Sequence, residues 1–145
     1  MPNEINVELL DQIIQAIDRE PEVFDMVMWA KSKPWRSGCG TTACIAGHAV
    51  AIGDKVQLSA QAKFDEFGDA STYFSLERPD PKEPVHIEDK AIELLGLSGS
   101  QSRILFYVSH WGDFEQPYYD ATSYRERADV AIARIQHFIT TNGEE

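Results

Sequence analysis

Residues Ser37 to Gly53 read S-G-C-G-T-T-A-C-I-A-G-H-A-V-A-I-G. A glycine-flanked turn, Gly38-Cys39-Gly40, leads into Thr41 and Thr42, either of which suits a helix N-cap. A small apolar run then extends from Ala43 to Ile52, and Gly53 stops it. No face of this run is polar, so a helix built from it must be covered on all sides. Its alanine, glycine and cysteine residues let neighbouring helices come close. The stretch therefore predicts a central helix with Cys44, Ile45, Ala49 and Ile52 buried. Both cysteines and His48 lie here, which makes it the first place to look for chemistry.

On the N-terminal side, Asn6 is a good N-cap, and Ile5 and Leu10 are placed as a hydrophobic staple. Leu9, Leu10, Ile13, Ile14 and Ile17 then recur on one face at helical spacing. Pro21 ends this helix and suits the first position of a second, carrying Phe24, Val27 and Met28 up to about Ala30. Lys31 to Arg36 reads as a basic loop holding Trp35.

On the C-terminal side, Ser59 suits the cap of a short helix over Ala60 to Phe67. Asp69 to Pro84, with Pro79, Pro81 and Pro84, reads as a long loop with a short extended piece at Thr72 to Leu76. Ile87, Ala91, Leu94 and Leu95 form a helical stripe, with Glu88 and Asp89 near its positive end. Gly96-Leu97 fits a Schellman stop. Ser98 with Gln101, and Ser123 with Glu126, are capping boxes for further helices. The first of these carries Ile104, Leu105 and Val108, with Phe106 and Tyr107 on its flanks. The second turns Tyr124, Ala128, Ala131, Ile135 and Phe138 or Ile139 inward and runs to about Thr141. Between them, His110 to Tyr119 reads as an aromatic loop.

With no alternating strand series, the class is all-α: one domain, residues 1–143, of roughly six or seven short helices around the small-residue helix. Residues 69–86 would be its long loop and residues 144–145 a free tail.

The chain of 145 residues is 43% hydrophobic and carries a formal net charge of −11. That length suits one domain with a real core. The acidity disfavours phosphate backbones and anionic membranes, which need clustered Lys and Arg, and suits docking onto a basic surface. The N-terminus lacks the basic start and apolar core of a signal peptide. Two cysteines do not make a disulfide framework. A cytoplasmic protein with reduced thiols, and no Cys39–Cys44 disulfide, is the expectation.

Cys39 and His48 are the catalytic candidates. A cysteine at a helix N-terminus has a lowered pKa, and Cys39-Gly40-Thr41 resembles the nucleophile helix of papain-like peptidases, with Thr41 in place of the proline. The base would be His48, His86 or His110. Cys39, Cys44 and His48 also have the spacing C-x4-C-x3-H, with Cys44 and His48 on one helix face, but a second close ligand pair is missing. Gly38 and Gly40 could present N–H groups to an anion, although no Walker pattern follows. His48, inside an apolar run, should be buried and favour its neutral form, with an Asp or Glu of another helix as its partner.

The stretches C-G-T-x-x-C-I-A-G-H-A (Cys39 to Ala49), A-x-x-L-L-G-L-S-x-x-Q-x-x-x-L-F (Ala91 to Phe106) and R-A-D-V-A-I-A-R-I-Q-H-F-I (Arg127 to Ile139) resemble a family of small bacterial and phage-associated proteins of unknown function. The resemblance implies an intracellular single-domain protein and supplies no catalytic residues.

The leading functional expectation is a non-enzymatic, acidic helical binding module, one version of which is a regulator or inhibitor of a basic partner. Its contact surface would combine Trp35 and Arg36 with His110, Trp111, Phe114, Tyr118 and Tyr119, since exposed aromatics mark binding surfaces. The partner would be a protein or small ligand, with no nucleic acid, membrane, metal or cofactor, and the chain a monomer or homodimer. The alternatives are a thiol-dependent hydrolase or transferase and a Cys/His metal-binding protein.

Overall fold

The computed structural model describes residues 4–26, 29–32, 41–56, 63–66, 69–74 and 84–144. Among them are six α-helices and five short strands, so the chain is mostly α-helical.

Helix α1 spans Val7–Arg19, and the Asn6 side chain accepts from the Leu9 N–H at 3.0 Å. Leu9, Leu10, Ile13 and Ile17 form its buried face. After Pro21 the described residues do not form the expected second helix; Val27 and Met28 lie outside them. Pro21–Val23 makes one 3-10 turn, Phe24 bridges to Ala43, and Ala30–Ser32 is strand β1. Lys31 therefore belongs to a strand, and Trp35, Arg36 and Cys39 lie outside the described residues.

Strand β2, Thr41–Ala43, pairs antiparallel with β1, placing Ala30 opposite Ala43. Strand β3, Asp69–Ala70, joins the other edge of β1, which completes a three-stranded sheet in the order β2-β1-β3. The threonines thus extend a strand instead of capping a helix. Helix α2 begins later, at Ile45–Gly53, with Cys44 as its N-cap. Ile45 through Val50 are all buried, whereas Ile52 is half-buried. An unbroken buried run is what a helix apolar on every face requires.

Strands β4, Thr72–Tyr73, and β5, Val85–His86, form a second small antiparallel pair, so the region expected as loop carries strands at both ends. Of the extended piece expected at Thr72 to Leu76, Thr72–Tyr73 is this β4, and Ser75 and Leu76 lie outside the described residues. Of the helix expected over Ala60 to Phe67, residues 63–66 are not helical and the other half lies outside the described residues.

Helix α3, Ile87–Leu95, ends at Gly96, whose φ of 68° is left-handed; the Leu97 N–H donates to the Ile92 carbonyl at 3.0 Å. This is the Schellman stop read from Gly96-Leu97. A β-carbon at Gly96 would also meet the Glu4 carbonyl oxygen, so glycine serves the close approach of the N-terminal segment as well. Helix α4, Gly99–Phe106, starts with both bonds of the Ser98–Gln101 capping box.

The segment expected as an aromatic loop is instead helical. Val108–His110 and Gly112–Phe114 are 3-10 turns, and Glu115–Asp120 is helix α5. Helix α6 spans Tyr124–Thr140; the Ser123 hydroxyl accepts from the Glu126 N–H, while the Glu126 carboxylate accepts from the Thr122 N–H instead of closing the box. Ala128, Ala131, Ile135 and Phe138 face inward as the spacing requires, but Tyr124 is exposed and Arg134 is buried in its place.

Helix α2 packs on α3 and α1, and α1 packs on α6. One continuous apolar core runs through these contacts. Among the described residues no helix is long and apolar enough to cross a membrane.

Candidate functional site

The thiol and imidazole of the central stretch are both engaged with backbone. The Cys44 thiol donates to the Trp29 carbonyl at 3.9 Å, and burial pushes it up to about 12, far from thiolate at neutral pH. The His48 Nδ1 donates to the Cys44 carbonyl at 2.9 Å, one turn back on its own helix. Burial lowers the His48 pKa, and the bond to the Cys44 carbonyl opposes that only in part. The partner is thus a carbonyl and not the carboxylate expected. A local carbonyl satisfies the ring without bringing a charge into the core. Among the described residues no group of three or more His, Cys, Asp or Glu side chains converges as metal ligands; Cys39 lies outside them.

The aromatic residues expected at the surface divide into two sets. Trp111 is only 2% exposed, and its Nε1 donates to the Leu105 carbonyl at 3.0 Å. Tyr118 is buried against Trp111, with ring centroids 5.3 Å apart, and its hydroxyl accepts from the Met26 N–H at 2.9 Å. Phe24 meets Tyr118 edge-on and also contacts the His48 ring, so Trp111 and Tyr118 belong to the core. Turning His110 to Tyr119 into helical turns is what sends them inward. Phe114 is half-buried against His137 and the Arg134 guanidinium. His110 and Tyr119 are exposed.

A concave site lies elsewhere, at the junction of the two sheets with α3 and α4. A cavity of about 310 Å³ is lined by Trp29, Ser71, His86, Glu88, Asp89 and Tyr107. Each wall has a local cause. Antiparallel register sets Thr72 opposite His86, and the Ile87 N–H donates to the Ser71 carbonyl at 2.9 Å, so the start of α3 is stitched to the β3–β4 turn. That places Glu88 and Asp89, in the first turn of α3, beside Ser71. Tyr107 follows α4 in extended conformation and is 42% exposed.

Trp29 is positioned from below. Gly47 of α2 lies directly under it, where a β-carbon would overlap the Trp29 carbonyl oxygen and the Ala43 methyl. The Trp29 ring meets Tyr107 at 87°, with centroids 5.9 Å apart, and leans edge-on against buried Phe106. The two rings form a right-angled corner. The Tyr107 hydroxyl donates to Glu88 Oε2. This bond, with smaller contributions from burial and the carboxylate charge, pushes the phenol up to about 12, so the hydroxyl stays protonated and holds the carboxylate in place.

The corner offers aromatic surface and two carboxylates, the chemistry that suits a cation. Sequence reading assigned Glu88 and Asp89 to the helix dipole alone and Tyr107 to a helix flank. His86, considered there as a base for Cys39, is exposed on the rim of this cavity. The signal for the site was the aromatic Tyr107 directly after a helix whose other apolar residues face the core.

Compared with family models, with curated proteins and with solved structures, the chain matches none.

Proposed function

We propose that this chain is a binding module for a basic partner, which it engages through the pocket of Trp29, Tyr107, Glu88 and Asp89. The observation that carries the reading is this corner of two perpendicular rings closed by a carboxylate that Tyr107 holds in place. A net charge of −11 adds long-range attraction for positive chains. The volume, about 310 Å³, lies at the small end of ligand pockets, which run from roughly 300 to 1,000 Å³. It suits one side chain of a partner better than a large cofactor. Of the surface first expected to bind, Trp111 and Tyr118 are not retained, because they are core.

The test is fluorescence anisotropy with a labelled decapeptide of mixed lysine, arginine, glycine and serine, against a glutamate counterpart. The basic peptide should bind saturably and lose affinity as salt is raised, and the acidic one should not bind. Changing both Glu88→Gln and Asp89→Asn should reduce affinity about tenfold or more. Binding that ignores the double substitution would place the contact elsewhere and refute the reading.

A further inference from the structure

We infer that the pocket selects a guanidinium, an arginine side chain presented by the partner, over a lysine ammonium; this rests on the basic-partner reading above. The shape of the pocket favours a guanidinium. A guanidinium is planar and stacks on aromatic faces, and Trp29 and Tyr107 offer two flat walls at 87°. An ammonium is a compact, strongly hydrated charge that gains less from a flat wall.

Glu88 is set to receive the same group. Tyr107 donates to Oε2 and leaves Oε1 available, and a carboxylate has about four lone-pair positions. The acid can therefore accept the two-pronged fork of an arginine while still bonded to Tyr107. Its orientation is set before the ligand arrives, so little ordering remains to oppose binding. Asp89, exposed in the same helical turn and on the same cavity, offers acceptors to the remaining guanidinium N–H groups. Five donors in a fixed fork match two neighbouring carboxylates better than three donors on one nitrogen.

The size of the cavity suits a side chain. A cavity of about 310 Å³ with walls on several sides takes one extended side chain end-on. A chain-borne arginine also brings a backbone and neighbouring charges to the acidic surface, which an isolated amino acid does not.

Isothermal titration of the full chain with two peptides of equal length and charge, one basic only through arginine and the other only through lysine, tests this. The arginine peptide should bind about tenfold tighter. The preference should shrink toward one in Glu88→Gln, and Asp89→Asn, a change at an exposed position, should weaken the arginine peptide in a protein whose melting is unaltered. Free L-arginine should compete only at far higher concentration than the peptide. Equal affinity for the two peptides, with both lost in the double Glu88→Gln/Asp89→Asn variant, would overturn the guanidinium selection and leave the basic-partner reading standing. Binding of neither peptide would overturn both. Free arginine binding as tightly as the peptide would overturn the assignment to a partner's side chain.

Discussion

Gly47 links the core to the pocket. It has no side chain to separate α2 from the backbone of Trp29, and Trp29 in turn forms one wall of the corner. Gly47→Ala should gain a little helix propensity and lose more to overlap with backbone that has nowhere to go. A net loss of about 1–3 kcal/mol follows, measured by urea unfolding, together with weaker binding of the basic peptide. Unchanged stability would mean that α2 does not press on Trp29. His48 supplies a pH dependence. Its folded pKa lies below the ordinary 6.5, so the unfolded chain takes up a proton first as pH falls. Stability from this group is intact above the unfolded value and is lost as pH drops from 6.5 toward the folded pKa. His48→Asn places an amide N–H near the position of Nδ1 without a titrating group. Between neutral pH and about pH 5 its melting temperature should fall less steeply than that of the natural chain. Parallel slopes would show that the imidazole is protonated as readily in the fold as outside it.

The helices are stopped and started by side chains close in sequence, but the same side chains also tie elements together. Asn6 caps α1 through its Oδ1, and its Nδ2 donates to the Leu94 carbonyl near the end of α3 at 3.1 Å. The Asn6 backbone N–H donates to the Leu95 carbonyl as well. One residue thus satisfies an N–H at the start of α1 and a carbonyl at the end of α3. Asn6→Ala should cost about 1–2 kcal/mol in chemical denaturation, while Val7→Ala at the exposed next position should stay within about 0.5 kcal/mol. Equal effects from the two would mean that the cap contributes nothing. At the other end of the chain, α6 buries Arg134, at 0% exposure, between the rings of Phe114 and Phe138, with Nη2 donating to the Ile104 carbonyl at 2.9 Å. The cation thereby joins α6 to α4 through a carbonyl bond and ring contacts.

At the level of the whole molecule, helices from both ends of the chain share one apolar core, since α1 packs on α2 and α6 alike. Arg125 strengthens the closure at the surface: it bonds the Asp18 carboxylate at 3.0 Å and the Asp18 carbonyl at 2.9 Å. Elements that share a core unfold together. Far-ultraviolet dichroism and the near-ultraviolet signal of buried Trp111 and Tyr118 should trace one coincident transition in urea. Two separated transitions would contradict a single cooperative unit. The pocket stands at the edge of this core, so ligand occupation should raise the midpoint without splitting the transition.

The sequence by itself determined the helices whose ends are closed locally. Asn6, Ser98 with Gln101, Gly96 and Ser123 act within a turn of their own backbone, and the apolar spacing of α1, α3 and α6 shows directly which face is buried. It also determined that the small apolar run is enclosed from Ala43 to Val50, although Ala51 and Ile52 at its end are only half-buried. Only the tertiary structure decided Phe24 to Met26 and Trp29 to Ser32. Phe24, Val27 and Met28 fit a helical stripe, but pairing of Ala30–Ser32 with β2 and β3 satisfies that backbone from partners remote in sequence, and no local pattern announces them. The same holds for His110 to Tyr119, where burial of Trp111 depends on the Leu105 carbonyl and on Tyr118. The pocket was the least legible part, because Trp29, Ser71, Glu88 and Tyr107 come from four separate segments. Their chemistry exists only where strand register, the start of α3 and the close approach at Gly47 bring those segments together.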